Sequence, residues 1–274
     1  MRRTLFIIFA LVPLLAGLAA PSWAQEAADD DKAKAAELAK KLSNPVASLI
    51  SVPLQSNWDF GIGTAAATRF TLNVQPVVPL SLNDDWNLIL RTIVPVISAG
   101  SPVAGGSSIT GLGDILQSIF FSPKEPTSGG FIWGVGPVIL YPTATDNVLG
   151  AGKWAAGPTA LVLKQESGWT YGGLANQIWS FAGQSSRSDL SVMFIQPFVS
   201  YTTKTFTTIG LNTESTYDWN NTQWTVPLNA TVAQLMKFGS LPVQFTLGGK
   251  YYAKKPAGGP DWGVRFALTL LFPK

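Results

Sequence analysis

From Trp262 to Phe272 every second residue is apolar: Trp262, Val264, Phe266, Leu268, Leu270 and Phe272. Side chains of a β-strand alternate between faces, so these six share one face. Gly263, Arg265, Ala267, Thr269 and Leu271 share the other. Only Pro273 and Lys274 come after them. A water-soluble fold has little use for a last strand with one wholly apolar face that ends on an aromatic ring. The closing strand of a lipid-facing barrel requires one.

The other end of the chain bears on the compartment. Arg2 and Arg3 precede an apolar run from Leu5 to Leu18, and Ser22-Trp23-Ala24 offers small residues before Gln25. This is the pattern of a cleaved secretory signal peptide over 1–24. The run is short for a membrane anchor of about 20 residues. No later segment is long and apolar enough for a membrane-spanning helix. The 19 Lys and Arg against 16 Asp and Glu include Arg2 and Arg3, so the exported chain is close to neutral and gives no case for nucleic-acid binding. Charged residues make up only 13% of the chain, well under the usual share. There is no cysteine and no histidine. Disulfides are excluded, and the usual ligands of zinc and most transition metals are missing. The commonest catalytic base is missing too. An enzyme is not expected, nor a cofactor.

Residues 25–47 differ in character from the remainder of the chain. Asp29, Asp30 and Asp31 open an Ala-rich stretch that closes on Lys40 and Lys41, a polarity that suits a helix dipole. Leu38 and Leu42 fall on one face, and Pro45 stops the helix. The segment is either a solvated periplasmic leader or a helical plug in a barrel mouth. From 48 to 274 the chain reads as a barrel. Strand-like segments lie near 50–61, 69–82, 86–97, 112–121, 131–141, 153–164, 169–181, 190–201, 205–217, 223–236, 241–252 and 262–272. That gives about twelve antiparallel strands, an even number as bacterial barrels have. Short connections such as Asn83-Asp84-Asp85 alternate with longer ones such as Ser98–Gly111. Pro123–Gly130 is longer than this rule wants and Asp218–Thr222 shorter. Trp86, Trp133 and Trp169 fall at one set of strand ends. Trp154, Trp179, Trp219, Trp224 and Trp262 fall at the other, as two aromatic girdles would.

A charge at the lipid midplane costs roughly 2–4 kcal/mol, so the polar face of each strand points inward. The candidate lumen residues are Asp59, Arg69, Asn73, Gln75, Asn87, Arg91, Asn212, Glu214, Gln244, Lys250 and Arg265. Pro76, Pro79, Pro95, Pro137, Pro158, Pro197 and Pro227 fall within strands and remove ladder donors, so bulges or irregular pairing are expected there. A barrel of this size lies between one filled by side chains and an open aqueous channel. A narrow lumen suited to small solutes is the expectation.

Gly111-Leu112-Gly113-Asp114 and Gly134-Val135-Gly136 sit at strand starts or interiors and read as close backbone approach rather than phosphate loops. Asp84-Asp85 is a turn pair, not a catalytic dyad. Several segments carry a resemblance as a set. They are Asn44 to Gln55, Trp58-Asp59-Phe60-Gly61-Ile62-Gly63, Leu72 to Pro79 and Asn83 to Ile89, with Gly111 to Asp114, Gly134-Val135-Gly136-Pro137 and Leu270 to Lys274. Together they resemble the outer-membrane transporter family associated with the meta-pathway of phenol degradation. The resemblance covers nearly all of the exported chain. It implies an outer-membrane barrel and uptake of aromatic or other hydrophobic compounds, and supplies no catalytic residues. Asn44-Pro45-Val46 also resembles the hatch motif of long-chain fatty acid transporters, with Val46 in place of an alanine.

The expectation is an outer-membrane channel passing small molecules by diffusion. Its partners would be membrane lipids, a solute, and the barrel-assembly machinery acting on the C-terminal strand. A structural barrel without transport and a secreted β-sandwich binding protein are the alternatives.

Overall fold

The computed structural model describes residues 22–239 and 241–272, with side chains from Lys32 onward. Residues 1–21, most of the expected signal peptide, and the final Pro273 and Lys274 lie outside the described residues. Two compact units are distinguished, Met1–Lys34 and Ala35–Lys274. The described part of the first is helical. The second contains the end of that helix and a single β-sheet.

The helix α1 spans Ser22–Leu42. It is longer than the sequence pattern predicts. Nothing between Trp23 and Leu42 breaks a helix, so the three aspartates fall in its middle rather than at its start. Lys40 and Lys41 do close it, and Pro45 lies just beyond. Fifteen strand segments come next: β1 (Ile50–Ile62), β2 (Ala67–Val74), β3 (Val77–Ser81), β4 (Trp86–Ala99), β5 (Ile109–Leu112), β6 (Ile115–Pro123), β7 (Phe131–Tyr141), β8 (Lys153–Glu166), β9 (Trp169–Gly183), β10 (Ser191–Thr202), β11 (Thr207–Thr213), β12 (Ser215–Asp218), β13 (Gln223–Phe238), β14 (Leu241–Lys254) and β15 (Trp262–Phe272). β2 with β3, β5 with β6, and β11 with β12 each form one interrupted stave, so the sheet has twelve staves. Every stave pairs antiparallel with its sequence neighbours. β1 pairs with β15 from Ile50↔Phe272 to Phe60↔Trp262, which closes the ring. Closure removes both sheet edges, the condition for a sheet to cross lipid.

The three interruptions lie beside prolines, whose missing N–H groups weaken the ladder, whereas Pro79, Pro137 and Pro158 lie within strands that continue. The stave of β2 and β3 breaks at Gln75-Pro76. That of β5 and β6 breaks beside Pro95, whose carbonyl accepts the Gly113 N–H at 2.9 Å. That of β11 and β12 breaks at Glu214, between Pro197 on β10 and Pro227 on β13. Pro137 and Pro158 face each other across the β7–β8 ladder.

Connections alternate in length as expected. At one end Ser167 (φ 48°) and Gly168 (φ 83°) form a two-residue hairpin with both φ positive, the turn whose twist matches paired strands. At the other end lie the longer loops 100–108, 142–152, 184–190 and 255–261. The turn at 124–130 stays long and that at 219–222 short. Aromatic pairs mark both ends. Trp86 and Trp133 meet edge to face at 5.7 Å at the short-turn end, and Trp262 stacks on Phe60 at 4.4 Å at the long-loop end.

The final strand shows its alternation most clearly. Trp262, Val264, Phe266 and Phe272 are exposed, while Arg265, Ala267, Thr269 and Leu271 are buried. Around the ring Leu211, Leu228, Val232, Leu247 and Val162 likewise face outward and are half exposed. Polar side chains on this outer face satisfy one another. Tyr141 Oη donates to Gln117 Oε1 at 2.9 Å, and Gln117 Nε2 donates to Thr92 Oγ1 at 3.3 Å. Among the described residues no helix is long and apolar enough to cross a membrane. The chain crosses with strands. Replacing the outward Leu247 with arginine is therefore expected to cost about 2–4 kcal/mol in reversible denaturant unfolding from lipid vesicles. Replacing its inward neighbour Thr246 with serine should leave the midpoint nearly unchanged.

Candidate functional site: a two-sided lumen

Inward-facing side chains divide the lumen into two arcs. The polar arc runs from the stave of β11 and β12 through β13, β14, β15, β1 and β2 to β4. Its centre is a network of buried charges. Lys250 Nζ lies 3.0 Å from Asp59 Oδ1, which also accepts the Tyr252 hydroxyl at 2.9 Å. Arg265 donates through Nε to Asn57 Oδ1 at 2.8 Å and grips Glu214 with both terminal nitrogens at 2.9 and 2.8 Å. This two-point geometry is the strongest arrangement open to an arginine and a carboxylate. Glu214 faces inward by the same alternation as Asn212 and Thr216, which line the cavity with it. The ladder break beside it lies between Pro197 and Pro227.

Arg91 stands differently. It lies next to the Gln75-Pro76 break, opposite Val77. Its Nη2 donates to Gln75 Oε1 at 3.1 Å, and among the described residues no carboxylate is bonded to it. Asn87, on the same strand, donates to Ser48 Oγ at 2.9 Å. Asn229 Nδ2 donates to Asn212 Oδ1 at 2.7 Å. Asn73, Gln75, Asn212, Glu214, Gln244 and Arg265 share one cavity wall. Arg69 pairs in register with Asp59 on β1, toward the long-loop end. The sequence pattern did not single out Asn57, Tyr252, Asn229 or Thr269. Each is signalled by its even spacing from Asp59, Lys250, Thr231 or Arg265 along its own strand.

The second arc, from β6 to β10, carries most of the inward apolar side chains, with Ser118, Thr159, Asn176 and Gln196 set among them. Phe120, Leu161, Leu163 and Leu174 pack together with Ile89 of β4 toward the short-turn end. Val138, Ala155 and Ile178 form a second cluster, with Leu116, Leu140 and Val192 against it. In these strands both faces are apolar, and period two alone cannot assign them. The two-sided apolar run of Ile115-Leu116 and Ile119-Phe120-Phe121 is the available signal, because a strand buried on both faces reads as continuous hydrophobicity.

The segment 35–49 fills part of the interior. Val46 packs into the first apolar cluster. Ala39, Ala47 and Leu49 are buried with Leu235 and Leu271, and Ala35, Leu38 and Leu42 pack against them. Gln165 Nε2 donates to the Lys40 carbonyl at 2.8 Å. Beyond this segment a cavity of about 620 Å³ runs between the arcs. Narrower spaces of about 210 and 240 Å³ lie against the segment itself. Leu42 and Gln244 line all three.

Among the described residues no group of His, Cys, Asp and Glu could hold a metal ion. No family model matches the chain. Among solved structures it is similar to an outer-membrane channel from Pseudomonas putida F1. The TM-score is 0.64 at 14% identity, over 82% of this chain and 96% of that one. The translocator domain of autotransporter NalP from Neisseria meningitidis gives a TM-score of 0.43 at 9% identity, over 91% of this chain and 98% of that one. Among curated proteins, Terpene cyclase olcD of Penicillium canescens is 29% identical over 145 residues, 52% of this chain and 56% of that protein. The chain spans about half the length of that relative, and the likeness carries no activity across. What the comparisons establish is the fold, a closed antiparallel β-barrel like that of the channel from Pseudomonas putida F1.

Removing one partner of the central ion pair is expected to be costly. Glu214→Ala leaves Arg265 buried without its anion and should destabilise the barrel by about 3–5 kcal/mol in denaturant unfolding. The double variant Glu214→Leu with Arg265→Met should recover most of that loss, since two apolar groups leave no orphan charge.

Proposed function

We propose that the protein is an outer-membrane channel through which small molecules pass by diffusion without chemistry. The observation that carries this reading is the cavity of about 620 Å³ inside the closed ring, which shares Leu42 and Gln244 as lining residues with the spaces beside the 35–49 segment. A lumen with one polar and one apolar wall suits solutes of mixed character, aromatic or otherwise hydrophobic compounds included. The resemblance to the family associated with phenol degradation points the same way.

In this reading residues 1–24 are a cleaved export signal, and the short turns face the periplasm with both ends of the barrel chain. Residues 25–47 are then a periplasmic N-terminal segment, of which the part from Ala35 acts as a plug. Its burial against Leu235 and Leu271 and its hydrogen bonds to Gln165 and Asn87 support that role. Trp262 to Phe272 offers the lipids an apolar face, and offers the assembly machinery a terminal strand ending on an aromatic ring. Within the lumen, Asp59, Arg69, Asn73, Gln75, Asn87, Arg91, Asn212, Glu214, Gln244, Lys250 and Arg265 line or support the path.

Conductance across planar bilayers, paired with liposome swelling, tests the proposal. The purified barrel should conduct weakly, and a variant lacking residues 25–43 should conduct more and swell liposomes faster. If neither form conducts or admits any solute, the channel reading fails, and a structural barrel without transport takes its place.

A further inference from the structure

We infer that the lumen holds a binding site for a small amphipathic monocarboxylate, its anion seated on Arg91 and its apolar body on the facing wall. The inference deepens the channel reading and rests on it only for the passage of the ligand, not for its binding. Charge accounting around the cavity comes first. Asp59 is matched by Lys250, and Glu214 by Arg265. Of the two arginines that line the cavity, Arg91 is the one with no carboxylate bonded to it among the described residues; it has the neutral Gln75 oxygen as its hydrogen-bond acceptor and feels Glu214, already gripped by Arg265, only through space. A guanidinium presents five N–H donors in a planar fork that matches a carboxylate at two points. Arg91 is only partly buried and lines the cavity, so its unused N–H donors are open to a ligand that enters.

The surroundings of Arg91 narrow the class. It lines the cavity of about 620 Å³, a volume in the range of small-ligand sites. Across that cavity Leu116, Leu140, Ile178, Val192 and Phe194, from the strands β6 to β10, present a mainly apolar surface in which Asn176 and Gln196 are set. A ligand satisfying both walls has one anionic end and an apolar body. Glu214 lines the same space, so a second negative charge on the ligand would meet repulsion. A monoanion fits and a dianion does not. Arg91 also lines the narrower space beside Lys41 and Leu42, so a carboxylate released from the cavity would stay in contact with the same guanidinium on entering that space.

Calorimetric titration of the purified full barrel in detergent tests this with phenylacetate, its neutral counterpart phenylacetamide, and acetate, which lacks the apolar body. Phenylacetate should bind, and the other two should bind about tenfold more weakly or worse. Arg91→Gln should erase the preference of phenylacetate over phenylacetamide, and Arg91→Lys should keep part of it. Heat-modifiable gel migration reports that each variant is folded. If wild-type protein binds phenylacetamide as tightly as phenylacetate, the anion site is wrong. If acetate binds as tightly as phenylacetate, the apolar wall has no role and the inference is equally overturned. An intact preference in Arg91→Gln would locate the anion elsewhere and overturn it too. The wild-type comparisons decide the question even if a variant fails to fold. Binding is read without passage. A barrel that binds but does not conduct sinks the channel reading alone, and one that conducts without preference sinks this inference alone.

Discussion

Every strand in this barrel is held by two neighbours only because Ile50 to Phe60 pairs with Trp262 to Phe272. Without that seam β1 and β15 would each present a row of unpaired N–H and C=O groups to lipid, where no water can satisfy them. The outer apolar belt, the inward turn of the charges and the enclosed cavity all depend on the closed ring. Once the ring is closed, alternation decides everything by parity. Arg265 lies inside because Val264 and Phe266 lie outside.

Polar groups confined to such a space must satisfy each other, and the lumen shows how the sequence arranges this. Asp59, Lys250 and Tyr252 come from strands beside the seam, as do Asn57 and Arg265. Glu214 joins them from another stave, on the inward face that it shares with Asn212 and Thr216. The ring's curvature brings that face within reach of Arg265. The opposite arc relies mainly on packed leucines, isoleucines and Phe120, and its few inward hydroxyls, such as Ser122 and Thr159, donate to backbone carbonyls.

Much of this was legible in the sequence. The terminal alternation and the alternation of short and long connections follow from period two and turn chemistry. The staves were legible as units, and their breaks were foreshadowed by Pro76, Pro95, Pro197 and Pro227. The apolar half of the lumen was not legible, because a strand apolar on both faces has no parity to read. Partners were not legible either. Nothing local to Glu214 names Arg265 as its mate, since the pairing depends on the curvature that brings distant staves together. The start of α1 was not legible for a simpler reason: the cluster Asp29-Asp30-Asp31 looks like a first turn, yet nothing on its N-terminal side back to Trp23 stops a helix.

The seam joins the first strand to the last, and the 35–49 segment lies inside the ring that it completes. That segment runs directly into β1. It has no separate doorway to pass through if it is already lying along the growing sheet when β15 arrives. The ring is then drawn shut around its own N-terminal stretch, like a cask assembled around its contents. A barrel whose seam closed before residues 35–49 lay in place would have the same staves and an empty mouth. It would differ from the native form in history rather than in sequence.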